Sequence, residues 1–253
     1  MIALLIVLLV AAQMLRAILK RHRGALLTVP LLSLLNLLGL SALGIVAGAS
    51  RSPIVTLGNL MGGITLLCLT WWFYLATRPT QPANPTPHRT RLPWLICGLI
   101  LTAVAVLLGT LTSANYAALA CSGLPDCDGM WWPSSALGEA LDLLRPLTID
   151  DRGIIVSDAA QQAVQLAHRI GAFAGVVWGI LFIGRTLLHR ARPPAWDLSV
   201  VLLLIVQYAM GAGLVLNPAS LTFALAHNLG SSLLLVALLG TIHHHLPRRT
   251  TAS

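Results

Sequence analysis

The chain is short of charge. Only 9% of its 253 residues are Asp, Glu, Lys or Arg, while 57% are hydrophobic, with a mean hydropathy of +0.82. Soluble domains carry roughly 25% charged residues, so a water-soluble globule is excluded and an all-α integral membrane protein is expected. Other absences narrow the chemistry. No Ser-His-Asp grouping, phosphate-cradling loop or intramembrane carboxylate pair is present, which leaves hydrolysis and proton-coupled transport without equipment. Basic and aromatic residues are nowhere clustered into a surface suited to nucleic acid, so no nucleic acid partner is expected. Histidine is absent from every apolar run before residue 92.

What is present is apolar sequence in lengths near the 20 or so residues that cross a bilayer. Seven such runs lie near 1–19, 25–49, 54–77, 93–113, 160–184, 197–216 and 220–242, giving seven predicted transmembrane helices. The first lacks the basic start and cleavage site of a signal peptide and is read as a helix. Arginine and lysine mark the cytoplasmic loops: Lys20, Arg21 and Arg23; Arg78, Arg89 and Arg91; Arg185, Arg190 and Arg192; then Arg248 and Arg249 in the tail. The loop over about 114–159 instead carries Asp126, Asp128, Glu139, Asp142, Asp150, Asp151 and Asp158, seven of the eight acidic residues, and should face outward. The net charge of +8 is thus a topology signal, with a minor attraction to anionic lipid. Seven spans and a cytoplasmic C-terminus put Met1 outside. Either the first span inserts in reverse, or a helix is expected to precede it.

A proline-rich, polar stretch over 79–91 reads as a cytoplasmic linker. It separates an N-terminal half of three spans, 1–78, from a C-terminal half of four, 92–246, followed by a tail at 247–253. The halves are weakly similar: the helix opened by Pro53 resembles the one opened by Pro218, and Asn36-Leu-Leu-Gly-Leu resembles Gln207-Tyr-Ala-Met-Gly. On that reading the N-terminal half is the same bundle without its first helix.

His168 and His227 are the two histidines set inside apolar spans, where an unpaired imidazole is costly. Each lies nine residues into its span, about 13 Å at 1.5 Å per residue, and both spans run inward from the outer side. Two imidazoles at one depth suit ligation of a haem iron from opposite faces. For either alone, a satisfied interhelical hydrogen bond is the rival reading. Gly171, Ala172 and Gly175, with Gly230, Ser231 and Ser232, leave room for a flat macrocycle or for close helix packing. Arg169 either snorkels outward or neutralises a haem propionate. Cys121 and Cys127, in an outer loop rich in turn formers, favour a disulfide over a metal site. Cys68 and Cys97 read as small hydrophobes, and His243, His244 and His245 as a polar helix end.

The segments Thr112-Ser-Ala-Asn-Tyr-Ala-Ala-Leu-Ala-Cys121 and Pro125-Asp-Cys-Asp-Gly-Met-Trp-Trp-Pro133, with His168-Arg169 and His227-Asn228, resemble the C-terminal half of bacterial haem A synthases. Pro53 through Trp72, including Gly62-Gly63, resembles the fourth helix of that family's N-terminal half. The resemblance implies an eight-helix pseudo-symmetric enzyme of the bacterial inner membrane that oxidises a methyl group of haem O to the formyl group of haem A, for cytochrome oxidase assembly. It implies haem b as cofactor, His168 and His227 as its iron ligands, and Cys121–Cys127 as the loop disulfide. Fitting partners are haem, membrane lipid, oxidase assembly factors, haem O synthase or a second copy of the chain. The chain departs from the pattern where the family's other fourth-helix histidine falls at Asn59, or at Gly58 if the internal repeat is aligned. A degenerate, non-catalytic haem-binding protein assisting oxidase assembly or electron transfer is the alternative expectation.

Overall fold

A computed structural model describes residues 2–46, 52–78, 91–153, 155–189, 193–217 and 220–246. The expected all-α architecture is found. In chain order the helices are α1 (Ile2–Leu19), α2 (Ala25–Val46), α3 (Pro53–Thr77), α4 (Leu92–Ala114), the short α5 (Leu137–Ala140), α6 (Ala159–His189), α7 (Ala195–Leu216) and α8 (Leu221–His245). Six of them, α2 to α4 and α6 to α8, are long and apolar enough to cross a bilayer. The seventh apolar helix, α1, has 18 residues, or about 27 Å against a hydrocarbon core of roughly 30 Å. This is a multi-pass membrane protein. A chain in lipid must satisfy its backbone internally, so these apolar runs have no alternative to helix. Proline opens α3 and lies in the first turn of α4, where it costs least, whereas Pro30 lies inside α2; the Ser220 hydroxyl accepts from Phe223 N–H at the start of α8. The proline-rich segment 79–90, Pro218 and the tail 247–253 lie outside the described residues.

Helices pack chiefly in pairs, α2 with α3, α4 with α6 and α7 with α8, while α3 also touches α4 and α8. The main core joins α4, α6, α7 and α8 through Leu95, Trp178, Phe182, Val200, Leu204 and Leu238. Trp178 lies so close against α4 that Gly98 leaves no room for a Cβ, and its indole N–H donates to the Trp94 carbonyl at 2.9 Å. The eighth acidic residue, Asp197, is fully buried in the first turn of α7 and pairs with Arg91 at 2.7 Å. Arg91, expected as a loop charge, is thus spent within the fold. Removing one partner of such a pair strands a buried charge and costs about 3–5 kcal/mol.

The segment between α4 and α6 folds into a compact polar cap. Asn115, fully buried, donates to the carbonyls of Leu111 at 2.9 Å and Ala140 at 3.1 Å and accepts from Arg145 Nε at 2.9 Å. Arg145 also pairs with Asp158 at 2.9 Å. The cap reaches the N-terminal helices as well: the Leu143 carbonyl accepts from the Ile54 N–H and the Ser52 hydroxyl, each at 3.1 Å. With 31 residues, α6 runs about 46 Å and exceeds the apolar layer, so its first turns meet this polar cap.

Candidate functional site

One face of α6 carries Gln161, Gln165 and Arg169 at helical spacing, a polar stripe turned to the cap. Gln161 Nε2 donates to the Asn115 carbonyl at 2.6 Å. Gln165 accepts from Cys121 N–H and donates to the Ala118 carbonyl, both at 2.8 Å. Arg169 gives its guanidinium to the loop carbonyls of Gly123 at 2.6 Å, Cys121 at 3.3 Å and Asp126. Cys121 and Cys127 are joined in a disulfide, so all three acceptors belong to one small covalent ring. The Nη1 and Nη2 of Arg169 thereby hold the loop. Among the exposed cap residues, hydrogen bonds from the Ser122 hydroxyl and N–H hold the Asp128 carboxyl below the usual carboxylate range.

Beside that stripe, His168 turns into the bundle. Its Nδ1 lies 2.9 Å from the Ala105 carbonyl on α4. A carbonyl only accepts, so Nδ1 carries the proton and Nε2 keeps its lone pair. One turn along α4, Gly109 lies against the ring, where an added Cβ would stand 2.8 Å from Cε1. His227 on α8 is cradled in parallel by α7. Its Nδ1 is 3.1 Å from the Gln207 amide, which also donates to the His227 carbonyl at 2.9 Å, and one turn on, Gly211 lies against the ring. Each imidazole therefore rests on a neighbouring helix that offers a polar contact at one position and a bare glycine four residues later. The two half-buried rings meet in an edge arrangement, with centroids 6.1 Å apart and planes at 87°.

That separation can be compared with what one metal atom would need. Two in-line metal–imidazole bonds of about 2 Å, with about 1 Å from each nitrogen to its ring centre, give about 6 Å between centroids. Among the described residues no group of three or more His, Cys, Asp or Glu could hold a metal ion, so a centre here would have to bring its own remaining ligands. The other flagged residues lie elsewhere. Gly171 faces Ala105 and Leu108, Gly175 faces Leu204 and Gly230 faces Gln207, so helix packing accounts for them. The His243 ring meets Trp72 edge-on at 5.6 Å, and Asn59 is exposed. Reading along the chain missed Gly109 and Gly211, which need neighbouring helices to show their purpose, and marked Gln207 only as part of a repeat. The i, i+4 spacing of Gln161, Gln165 and Arg169 was a legible sign of a polar contact face.

Comparison with known proteins agrees with the motifs. The family model for cytochrome oxidase assembly proteins matches residues 1–239. A haem A synthase of Shewanella oneidensis is 32% identical over 226 residues, covering 88% of this chain and 68% of its own length. A haem A synthase of Cereibacter sphaeroides is 31% identical over 156 residues, 59% of this chain and 38% of its own length. One from Paracoccus denitrificans is 27% identical over 186 residues, 71% of this chain and 45% of its own length. The chain belongs to the cytochrome oxidase assembly protein family.

Proposed function

We propose that this membrane protein binds one b-type haem through His168 and His227 and serves haem A formation for cytochrome oxidase in the bacterial inner membrane, with haem O as the substrate class and haem A as product. The observation that carries the reading is the pair of neighbouring imidazoles, one on α6 and one on α8, whose 6.1 Å centroid separation is close to what two in-line iron–imidazole bonds would span. When bound, a haem ligated in this way supplies one-electron redox chemistry. The chain's own residues hold and orient. The Ala105 carbonyl fixes the protonated nitrogen of His168 and so presents the other. Gly109 and Gly211 keep α4 and α7 clear of the two rings. Arg169, next to His168 on α6, is drawn into the disulfide-closed loop and ties the cap to that helix.

A second reading, a non-catalytic haem-binding protein assisting oxidase assembly or electron transfer, is favoured by α3. There the family's histidine position is Asn59, exposed, or Gly58, which faces Leu43 of α2. An amide is a far poorer iron ligand than an imidazole.

Absorbance and electron paramagnetic resonance of the purified chain test the haem reading. A low-spin, six-coordinate b-type signal is expected, and His168→Ala or His227→Ala should abolish it. An unchanged low-spin signal in both single variants overturns the assignment.

A further inference from the structure

We infer that Gln207 is a positioning residue for His227: its side-chain amide fixes the hydrogen bond at Nδ1 of the ring and thereby the nitrogen offered to iron. The inference rests on the haem reading above. Three contacts lodge this amide. Its nitrogen is 3.1 Å from His227 Nδ1 and 2.9 Å from the carbonyl of the same residue. Its oxygen fills the space left by Gly230, where any Cβ would collide with it. That oxygen is also buried without a hydrogen-bond partner, a costly state in a protein interior.

Helix anchoring alone does not account for the residue. On α2, Asn36 stands at the repeat position of Gln207 and donates to the Gly62 carbonyl of α3 at 2.8 Å. The shorter amide already ties that helix pair through the backbone. The extra methylene of glutamine adds the contact to an imidazole.

The two ends of an amide are nearly isosteric, and a half-turn exchanges them. With the nitrogen toward the ring, Nδ1 accepts and the proton sits on Nε2. With the oxygen toward the ring, Nδ1–H donates to it and Nε2 keeps its lone pair, and the amide gives up its nitrogen's bond to the His227 carbonyl. Ligation of iron by Nε2 selects the second orientation. His168 has no such choice, because its Nδ1 faces a backbone carbonyl that only accepts. The two ligands are therefore unequal, and the tunable one is His227.

The test uses the purified full chain with its haem, comparing Gln207→Leu, Gln207→Glu and, as the repeat-position control, Asn36→Leu. The readouts are the g-values of the oxidised low-spin signal, the haem reduction potential and haem content. Gln207→Leu removes the acceptor for Nδ1–H and should shift the g-values and raise the potential. Gln207→Glu, close in shape and a stronger acceptor, should lower the potential while keeping the haem low-spin. Asn36→Leu should change neither. Should Gln207→Leu fail to accumulate, Gln207→Glu decides. A signal that is lost in His227→Ala yet unmoved in g-values and potential by the Gln207 variants overturns this inference alone. Absence of a low-spin haem from the unmodified chain overturns the haem reading and the inference with it.

Discussion

The helix pairs α2–α3 and α7–α8 use one packing device for different ends. Each is tied by a side-chain amide on the first helix to a backbone carbonyl on the second, Asn36 to Gly62 at 2.8 Å and Gln207 to His227 at 2.9 Å. Four residues after the amide the pairs diverge. Leu40 on α2 lies against Gly62, whereas Gly211 on α7 lies against the His227 ring. Large against small in one pair becomes small against imidazole in the other. Bundle packing is preserved by either exchange, because a close-packed interior asks only that volumes match. A ligand site is not, because it needs an imidazole, a clear space beside it, and a second imidazole opposite. On the proposed reading, the two similar helix pairs share their packing, and only α7–α8 carries one of the two imidazoles.

That contrast can be broken most severely by giving α7 the residue of α2. Gly211→Leu should push the His227 ring aside, at an overpacking cost of about 1–3 kcal/mol, and eliminate the low-spin haem signal. Leu40→Gly should leave the signal intact. A normal spectrum in Gly211→Leu would show that the ring does not need the cleared space.

Activity tests whether the first half contributes a substrate site. Small misplacements of reacting groups can cost about a hundredfold in rate, and α1–α3 carry no histidine at all. On the second, non-catalytic reading the chain, expressed alone with haem O supplied, should yield little or no haem A on extraction. Asn59→His by itself should not rescue it, since no opposing imidazole exists on those helices. Robust haem A from the unmodified chain would instead establish that this half holds substrate without axial histidines.

The polar cap sharpens the comparison at lower stakes, since it also touches the start of α3 through Leu143. Asn115→Ala removes the partner of Arg145 Nε and of the Ala140 carbonyl and should lower stability by about 1–3 kcal/mol. Replacing both Cys121 and Cys127 with Ser should cost about 2 kcal/mol, because the loop they close is short. Thermal unfolding in detergent reads both, and identical midpoints for variant and parent would contradict the cap's role.

The smallest effect is a pH dependence at Asp128. Its carboxyl titrates lower in the folded cap than in the unfolded chain because Ser122 donates to it. The contribution is therefore complete at neutral pH and disappears as pH falls below the usual carboxylate value through the folded one. Amide exchange at Ser122 should accelerate only in acid, and Asp128→Asn should remove that dependence; exchange insensitive to acid would discount it.

Much of this was legible along the chain. Spans of about 20 apolar residues could become only helices in lipid, and counting nine residues in from the start of each span put His168 and His227 at one depth. The Cys121 and Cys127 loop could be read as a disulfide from its turn formers. Arg169 was different: its acceptors are three carbonyls gathered by a folded loop 43 to 48 residues earlier, and no local pattern announces them. Arg91 looked like a topology charge because its partner Asp197 is 106 residues away.

What the residues determined without tertiary structure is the set of helices, their lengths and the depth of each side chain, because hydrophobic length and helical rise are properties of a segment by itself. Rotation and pairing of those helices belonged to the tertiary structure alone. Which face of α6 meets the cap, which glycine lies against each imidazole, and whether two histidines at one depth face each other depend on how ridges of neighbouring helices interlock. That is a relation between segments, and no one segment encodes it.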